Sequence, residues 1–202
     1  MFKNSKKYII SLVALPLLML NSCSSTSDDY EDVETGTAYY LDSAVKGVEY
    51  DCGDAPKGTT DSKGKFIFEV GEGCEFSIGD KTLRDIHPDD LSENIRLVET
   101  NYQYAQLLQT LDNDSNPENG IKIIPGVADA LSKMDLAMDF LLPSIVSDLF
   151  ETNKATMVTL STALEVVDGY NGSSVSEDDA KEHIARTIEQ LENDQIEYIK
   201  LR

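Results

Sequence analysis

Two hydrophobic periods divide the chain beyond its first thirty-five residues. From about 36 to 86, apolar and polar residues alternate in short runs. Val48, Tyr50 and Cys52 share one face opposite Glu49 and Asp51. Phe66, Phe68 and Val70 stand opposite Lys65 and Glu69, with Ile67 as an apolar exception, and Cys74, Phe76 and Ile78 stand opposite Glu75 and Ser77. A period of two describes half-buried strands. Turn residues separate the runs at Gly47, Gly53, Pro56, Gly58, Gly64, Gly71, Gly73 and Gly79. The pattern predicts strands over Ala38–Leu41, Gly47–Cys52, Lys65–Val70 and Cys74–Ile78, forming a small antiparallel sheet or reduced sandwich.

After His87-Pro88 the period moves towards 3.6. Leu91, Ile95, Val98, Tyr102, Ala105 and Leu108 form an i, i+3/i+4 stripe that predicts a helix over Asp89–Leu111. Val127–Phe150 is strongly apolar and is expected to break at Pro143 into two helices. Ala155–Val167 brings another, with Leu160, Ala163, Leu164 and Val167. Ser176 and Asp179 read as a variant capping box before a stripe of Ala180, Ile184, Ile188 and Leu191. Ile196 to Arg202 suits helix or strand. The fold class expected is therefore α+β: a β-module over 36–86, followed over 87–202 by a bundle of about four to five helices packed on it.

The first residues read differently. Lys3, Lys6 and Lys7 precede an apolar run from Tyr8 to Leu20, then Asn21, Ser22 and Cys23. A positive start, a short apolar stretch and small residues before a cut describe a secretory signal peptide over 1–22. The run is thirteen residues and contains Pro16, whereas a membrane-spanning helix needs roughly 20. Leu20-Asn21-Ser22-Cys23 resembles the lipobox of bacterial lipoproteins, with Asn21 a tolerated rather than favoured choice. The resemblance implies cleavage before Cys23, a diacylglycerol on its thiol and an acyl chain on its amino group; two or more chains anchor stably where one does not. In that family Ser24 after the lipidated cysteine implies the outer membrane, on either its periplasmic or its surface face. Residues 23–35, rich in Ser, Thr, Asp and Glu, read as the lipidated cysteine followed by a flexible acidic tether.

Charge narrows the partners. The chain carries 37 acidic and 17 basic residues, a net −20. Loss of the leader would remove three lysines and no acid, leaving the remainder more acidic still. Such a balance repels phosphate backbones and anionic lipid surfaces, so nucleic-acid binding is not expected and the membrane is engaged through lipid. With Cys23 committed to lipid, Cys52 and Cys74 remain as an even pair in an oxidising compartment. Both fall on the apolar faces of their strands and can be bridged if those strands lie close. A bridge over this loop would stabilise by about 3 kcal/mol in the chain-entropy model. A two-cysteine metal site lacks further His or Cys nearby.

Thr60-Asp61-Ser62-Lys63-Gly64-Lys65-Phe66-Ile67-Phe68 resembles the Thr-Asp-x-x-Gly-x-Phe-x-Phe hairpin of transthyretin-like and carboxypeptidase-regulatory-like sandwiches. More widely, Tyr40-Leu41-Asp42-Ser43-Ala44-Val45-x-Gly47-Val48-x-Tyr50 and Phe76-x-Ile78-Gly79-Asp80 resemble a module near the N-terminus of bacterial lipoproteins and secreted surface proteins. Leu107-Leu108-Gln109-Thr110-Leu111-Asp112 with Asp114, Pro117, Asn119, Gly120 and Ile121 resembles the segment that follows it there. Ala180, His183 and Ile184 match the closing helix. The resemblance implies a structural or adhesive module and brings no catalytic residues; roughly fifty residues is short for a full seven-stranded sandwich.

Among candidate sites, Asp112, Asp114, Asn116 and Glu118 alternate oxygen donors as a calcium loop does. Pro117 stands where an EF-hand needs Gly, and Ile123 where it needs a bidentate Glu. The competing reading is a helix exit and turn. His87 and His183, the two histidines, come with no nucleophile elbow, His-Glu-x-x-His or cysteine cluster; His183 reads as a satisfied boundary residue. The function expected is a lipid-anchored, non-enzymatic envelope protein that docks a protein or envelope polymer. The alternative is a small-ligand or carbohydrate-binding lipoprotein with a pocket between sheet and bundle.

Overall fold

The computed structural model describes residues 33–134 and 149–202. Cys23, the leader, most of the tether and the expected break at Pro143 lie outside the described residues. The first strand, β1 (Thr35–Leu41), is hydrogen-bonded to β5 (Lys65–Glu69) on one side and to β8 (Arg96–Glu99) on the other. Beyond β8 lies β10 (Tyr198–Leu201), giving the order β10-β8-β1-β5. The second sheet runs β4 (Gly58–Thr59), β3 (Glu49–Asp51), β6 (Cys74–Ile78) and β7 (Lys81–Ile86). A small ribbon pairs β2 (Val45–Lys46) with β9 (Ile121–Lys122).

The fold is α+β, with its two four-stranded sheets facing each other. Alternation assigns the inner faces as the sequence implies: Phe66 and Phe68 from β5 and Cys74, Phe76 and Ile78 from β6 are buried. Their rings interlock across the gap. Phe76 meets Tyr40 at 5.0 Å and Phe66 at 4.9 Å, both edge to face, the arrangement that ring quadrupoles favour. Val70 departs from the pattern. It is 51% exposed, because β5 ends at Glu69 and Gly71 turns the chain with φ 95°. The Thr60–Phe68 hairpin closes through Asp61, whose Oδ1 accepts from the amides of Lys63 at 2.7 Å and Lys65 at 3.0 Å. Gly64 sits at φ 73°, and a Cβ there would collide with the Tyr40 carbonyl. Cys52 and Cys74 form a disulfide that closes a 22-residue separation.

Within 36–86 the pairing is antiparallel as expected: β1 with β5, and β4, β3, β6 and β7 in order. The parallel pairs, β1 with β8, β8 with β10 and β2 with β9, each draw on a strand from beyond residue 86, where a bundle of helices was expected. The helix expected over Asp89–Leu111 is a strand in its middle. Only α1 (Tyr102–Leu111) is helical there, capped by the Asn101 side chain accepting from the Gln103 amide at 2.9 Å. Leu97 and Val98 are fully buried on opposite faces of the central strand β8. A parallel strand buried on both faces reads as an apolar run, which periodicity alone does not separate from a helix. The stretch 87–202 therefore supplies β8, β9 and β10 as well as helices, and Val33–Arg202 is one compact unit.

The other described helices are α2 (Pro125–Ser132), α3 (Leu149–Leu164) and α4 (Glu177–Asn193). Helix α4 begins as the sequence implies: Ser176 accepts from the Asp179 amide at 3.1 Å. Ala180, Ile184 and Leu191 of its stripe are buried, and Ala180 and Ile184 pack with Ala105 of α1. No helix among the described residues is long and apolar enough to cross a membrane.

Candidate functional site

Helix α4, the loop after α1 and the turn between β1 and β2 meet around a cleft of about 260 Å³. Ser43, Glu118, His183, Arg186, Thr187 and Gln190 are among its lining residues. Helical spacing puts His183 and Thr187 one turn apart on the face of α4 that looks at this junction. His183 is 3% exposed. Its Nδ1 lies 3.3 Å from Glu118 Oε1, and its Nε2 lies 3.5 Å from Thr187 Oγ1. Burial pulls the imidazole below its ordinary value, and the Glu118 carboxylate opposes that shift. Arg186 reaches the same Glu118 oxygen through Nε at 3.0 Å and Nη2 at 2.7 Å, and its Nη1 donates to Glu182 at 2.7 Å. These bonds from Arg186 and His183 hold Glu118 below the usual carboxylate range.

Thr187, His183 and Glu118 have the residue types of a nucleophile–base–acid relay. The hydrogen bonding assigns them another task. Thr187 Oγ1 donates to the Asp42 carbonyl at 3.0 Å, so its proton is directed away from the imidazole that would have to remove it. The three side chains brace α4 against the β1–β2 turn and the loop carrying Glu118.

Asp42 lies beneath this contact with no exposed surface. Gln109 of α1 donates to its Oδ2 at 2.8 Å, while Oδ1 has no hydrogen-bond partner among the described residues. Burial drives its carboxyl well above the usual range, the direction in which the neutral acid is favoured. A one-dimensional reading does not single out Asp42, Gln109 or Thr187. Their mutual separations of 67 and 145 residues leave no local pattern; the signals are the i, i+4 spacing of His183 and Thr187 and the places of Asp42 and Gln109 within the resemblance motifs.

The residues considered for calcium form a self-contained turn. Asp112 Oδ1 accepts from the Lys122 amide at 2.8 Å, and Oδ2 accepts from the Asn116 amide at 2.9 Å. Asp114 accepts from the Asn116 amide at 3.0 Å and from Asn119 Nδ2 at 3.1 Å. Glu118 instead faces α4. Among the described residues no group of three or more His, Cys, Asp or Glu side chains is placed to hold a metal ion. The alternating oxygens are thus brought together only in part, and the observed geometry is the helix exit and turn. Burial, with Asp114 beside it, raises Asp112 from 3.8 to about 6, whereas the Asn119 bond lowers Asp114.

His87 lies away from this junction, accepting from the Asp89 amide at 3.2 Å at the start of a short 3-10 turn. A second buried polar cluster joins the two sheets at another edge. Arg84 of β7 donates to Glu99 of β8 through Nε at 2.9 Å and Nη2 at 2.8 Å, and to the Arg202 carbonyl at 3.1 Å. Tyr40 donates its hydroxyl to Glu99 at 3.1 Å. No family model, no curated protein and no solved structure matches the chain.

Proposed function

We propose that the protein is a lipid-anchored, non-enzymatic interaction module of the bacterial cell envelope, attached to the outer membrane through Cys23. The observation that carries this reading is the sequence Leu20-Asn21-Ser22-Cys23 at the end of a thirteen-residue apolar run, followed by an acidic, apolar-poor tether. A tethered body in an oxidising compartment accords with the Cys52–Cys74 disulfide. His183, Arg186 and Glu118 at the α4 junction are engaged with one another in fixing loops, and the Thr187 proton is committed to a backbone carbonyl. That pattern suits a rigid body that presents surfaces more than one that performs chemistry.

The test is Cys23→Ala in the native host. The parent chain should fractionate with membranes and the variant should appear as an uncleaved precursor or in the soluble fraction; equal membrane retention of a processed variant would overturn lipid anchoring. Protease added to intact cells and to permeabilised cells then assigns the face. Digestion on intact cells means partner capture at the surface, and protection until permeabilisation means a periplasmic partner.

A further inference from the structure

The outward face of the first sheet carries an ordered row of side chains. Register places Tyr198 of β10 beside Arg96 of β8, Arg96 beside Tyr39 of β1, and Tyr39 beside Lys65 of β5. Lys200 lies two residues along β10 on the same face, because side chains alternate along a strand. At 4.7–4.9 Å per strand the row spans about 14 Å. The Arg96 guanidinium lies over the Tyr39 ring at 4.0 Å, and Lys200 Nζ lies 5.7 Å from the Tyr198 ring centre. All five side chains reach the surface, Lys200 most fully.

In a chain with more than twice as many acids as bases, cations are expected to sit beside carboxylates. Arg84, Lys57, Lys81, Lys133, Lys181 and Arg186 do so. Lys65, Arg96 and Lys200 form no ion pair among the described residues, as is also true of Lys46, Lys63, Lys122 and Arg202. What sets these three apart is that register gathers them with two tyrosines on one sheet face. Arg96 instead donates to the Asn94 carbonyl and stacks on tyrosine. Glu93 is the acid that faces Lys65, and it is occupied by the Thr37 amide at 2.7 Å and hydroxyl at 3.0 Å. At the other end, Glu192 accepts from the Tyr198 hydroxyl at 2.7 Å.

We propose that this cation–tyrosine row is a docking surface for an acidic polysaccharide, a glycan bearing carboxylate, sulfate or phosphate groups. The chain as a whole is acidic, but charge acts over a Debye length of about 8 Å, so the three cations of the row set the sign of what docks on it. The stacked Arg96 is held in place before binding and has less freedom to lose than a free side chain. Tyrosine supplies broad amphipathic contact area at low conformational cost, suited to sugar rings. A narrow polymer chain can cross the cations of the row between Glu93 at one end and Glu192 at the other. A bilayer of anionic lipid would also have to approach the bordering Glu93, Glu192 and Glu197 within a Debye length of about 8 Å, which favours the polymer. The envelope reading proposed above places such glycans within reach, but binding by the purified protein does not depend on Cys23, so fractionation and binding test separate claims.

The experiment is titration of the purified full-length protein in detergent with oligomers of alginate, a polyuronate, against neutral dextran. Saturable binding to alginate and not dextran is expected, weakened at least about tenfold between low and high salt. The exposed double variant K65E/K200E should lose at least about tenfold in affinity while keeping the parent melting temperature. K46E/K122E, the same charge change on the β2–β9 ribbon, should bind as the parent does. Undiminished binding by a folded K65E/K200E, absence of binding by the parent, or preference for anionic vesicles or an oligonucleotide over alginate would overturn the proposal.

Discussion

Arg84 and Glu99 are the charged pair with most to lose from a single substitution. The Glu99 side chain has no exposed surface and that of Arg84 is 11% exposed; burial pushes the Glu99 carboxyl up and Arg84 pulls it only partly back. Removing one partner of such a pair leaves the other charge buried and uncompensated. Arg84→Ala is expected to lower unfolding stability by about 3–5 kcal/mol, measured by urea denaturation; a change within the range of a surface substitution would show that water reaches Glu99. Thr187→Val is isosteric but leaves the Asp42 carbonyl without its 3.0 Å donor. It should cost about 1–3 kcal/mol by the same measurement, and a neutral result would remove Thr187 from the brace. Neither group of partners is visible one residue at a time. Arg84 falls outside the strands that alternation predicts, Glu99 lies off the apolar stripe of the helix expected over Asp89–Leu111, and Asp42 stands only within a resemblance motif, because burial of a charge is decided by elements distant in sequence. His183, by contrast, is legible as a satisfied residue from its place beside the Ala180–Leu191 stripe, although the junction with Glu118 buries it more fully than a boundary position implies.

The strands β5 and β6 and the helix α4 were legible, since each shows a clean period. The inward positions of β5 and β6, the Ser176 cap and the position of α4 all follow from it. Strand β7 was not legible, because its buried Leu83 and Ile86 stand three residues apart. Nor was the central strand β8. Leu97 and Val98 are both buried, so alternation is absent, and Tyr102 continues a helical spacing by coincidence although it is 38% exposed in the first turn of α1. Parallel pairing of β8 with β10 joins segments about a hundred residues apart, a contact no local pattern encodes. The disulfide was legible because two cysteines fell on inward faces of neighbouring runs, and β3 and β6 do pair, with Asp51 opposite Glu75. It closes the β3–β6 element around β4 and β5. Replacing Cys52 and Cys74 together by Ala should cost about 3 kcal/mol in the chain-entropy model, read as a lower urea midpoint with the denaturant slope little changed. A loss well under 1 kcal/mol would mean that the reduced chain already holds this element closed.

For the molecule as a whole, buried carboxyls and net charge act together on stability. Asp42, Glu99 and Asp112 all have their acid forms favoured by burial, Asp112 to about 6. A carboxyl whose folded pKa lies above its unfolded one binds protons more tightly when folded, so stability is greatest below the unfolded value. It declines as pH rises towards the folded value. Glu93, Glu118 and Asp114 are shifted down, so what they contribute is lost only as pH falls below the ordinary carboxylate range. His183 opposes the buried acids: its folded pKa is depressed, and acid costs stability once pH falls through the ordinary imidazole value. The three buried acids favour low pH and outweigh the one histidine, so Tm should fall by roughly 5 °C between about pH 5 and about pH 8. Self-repulsion among the surface acids of a −20 chain would give the same sign. Salt separates the two, because it screens exposed charges and leaves buried ones largely unaffected. Persistence of the slope in about 0.5 M salt assigns it to Asp42, Glu99 and Asp112, whereas its disappearance would mean that surface repulsion governs the pH response and that the buried carboxyls titrate near their ordinary values.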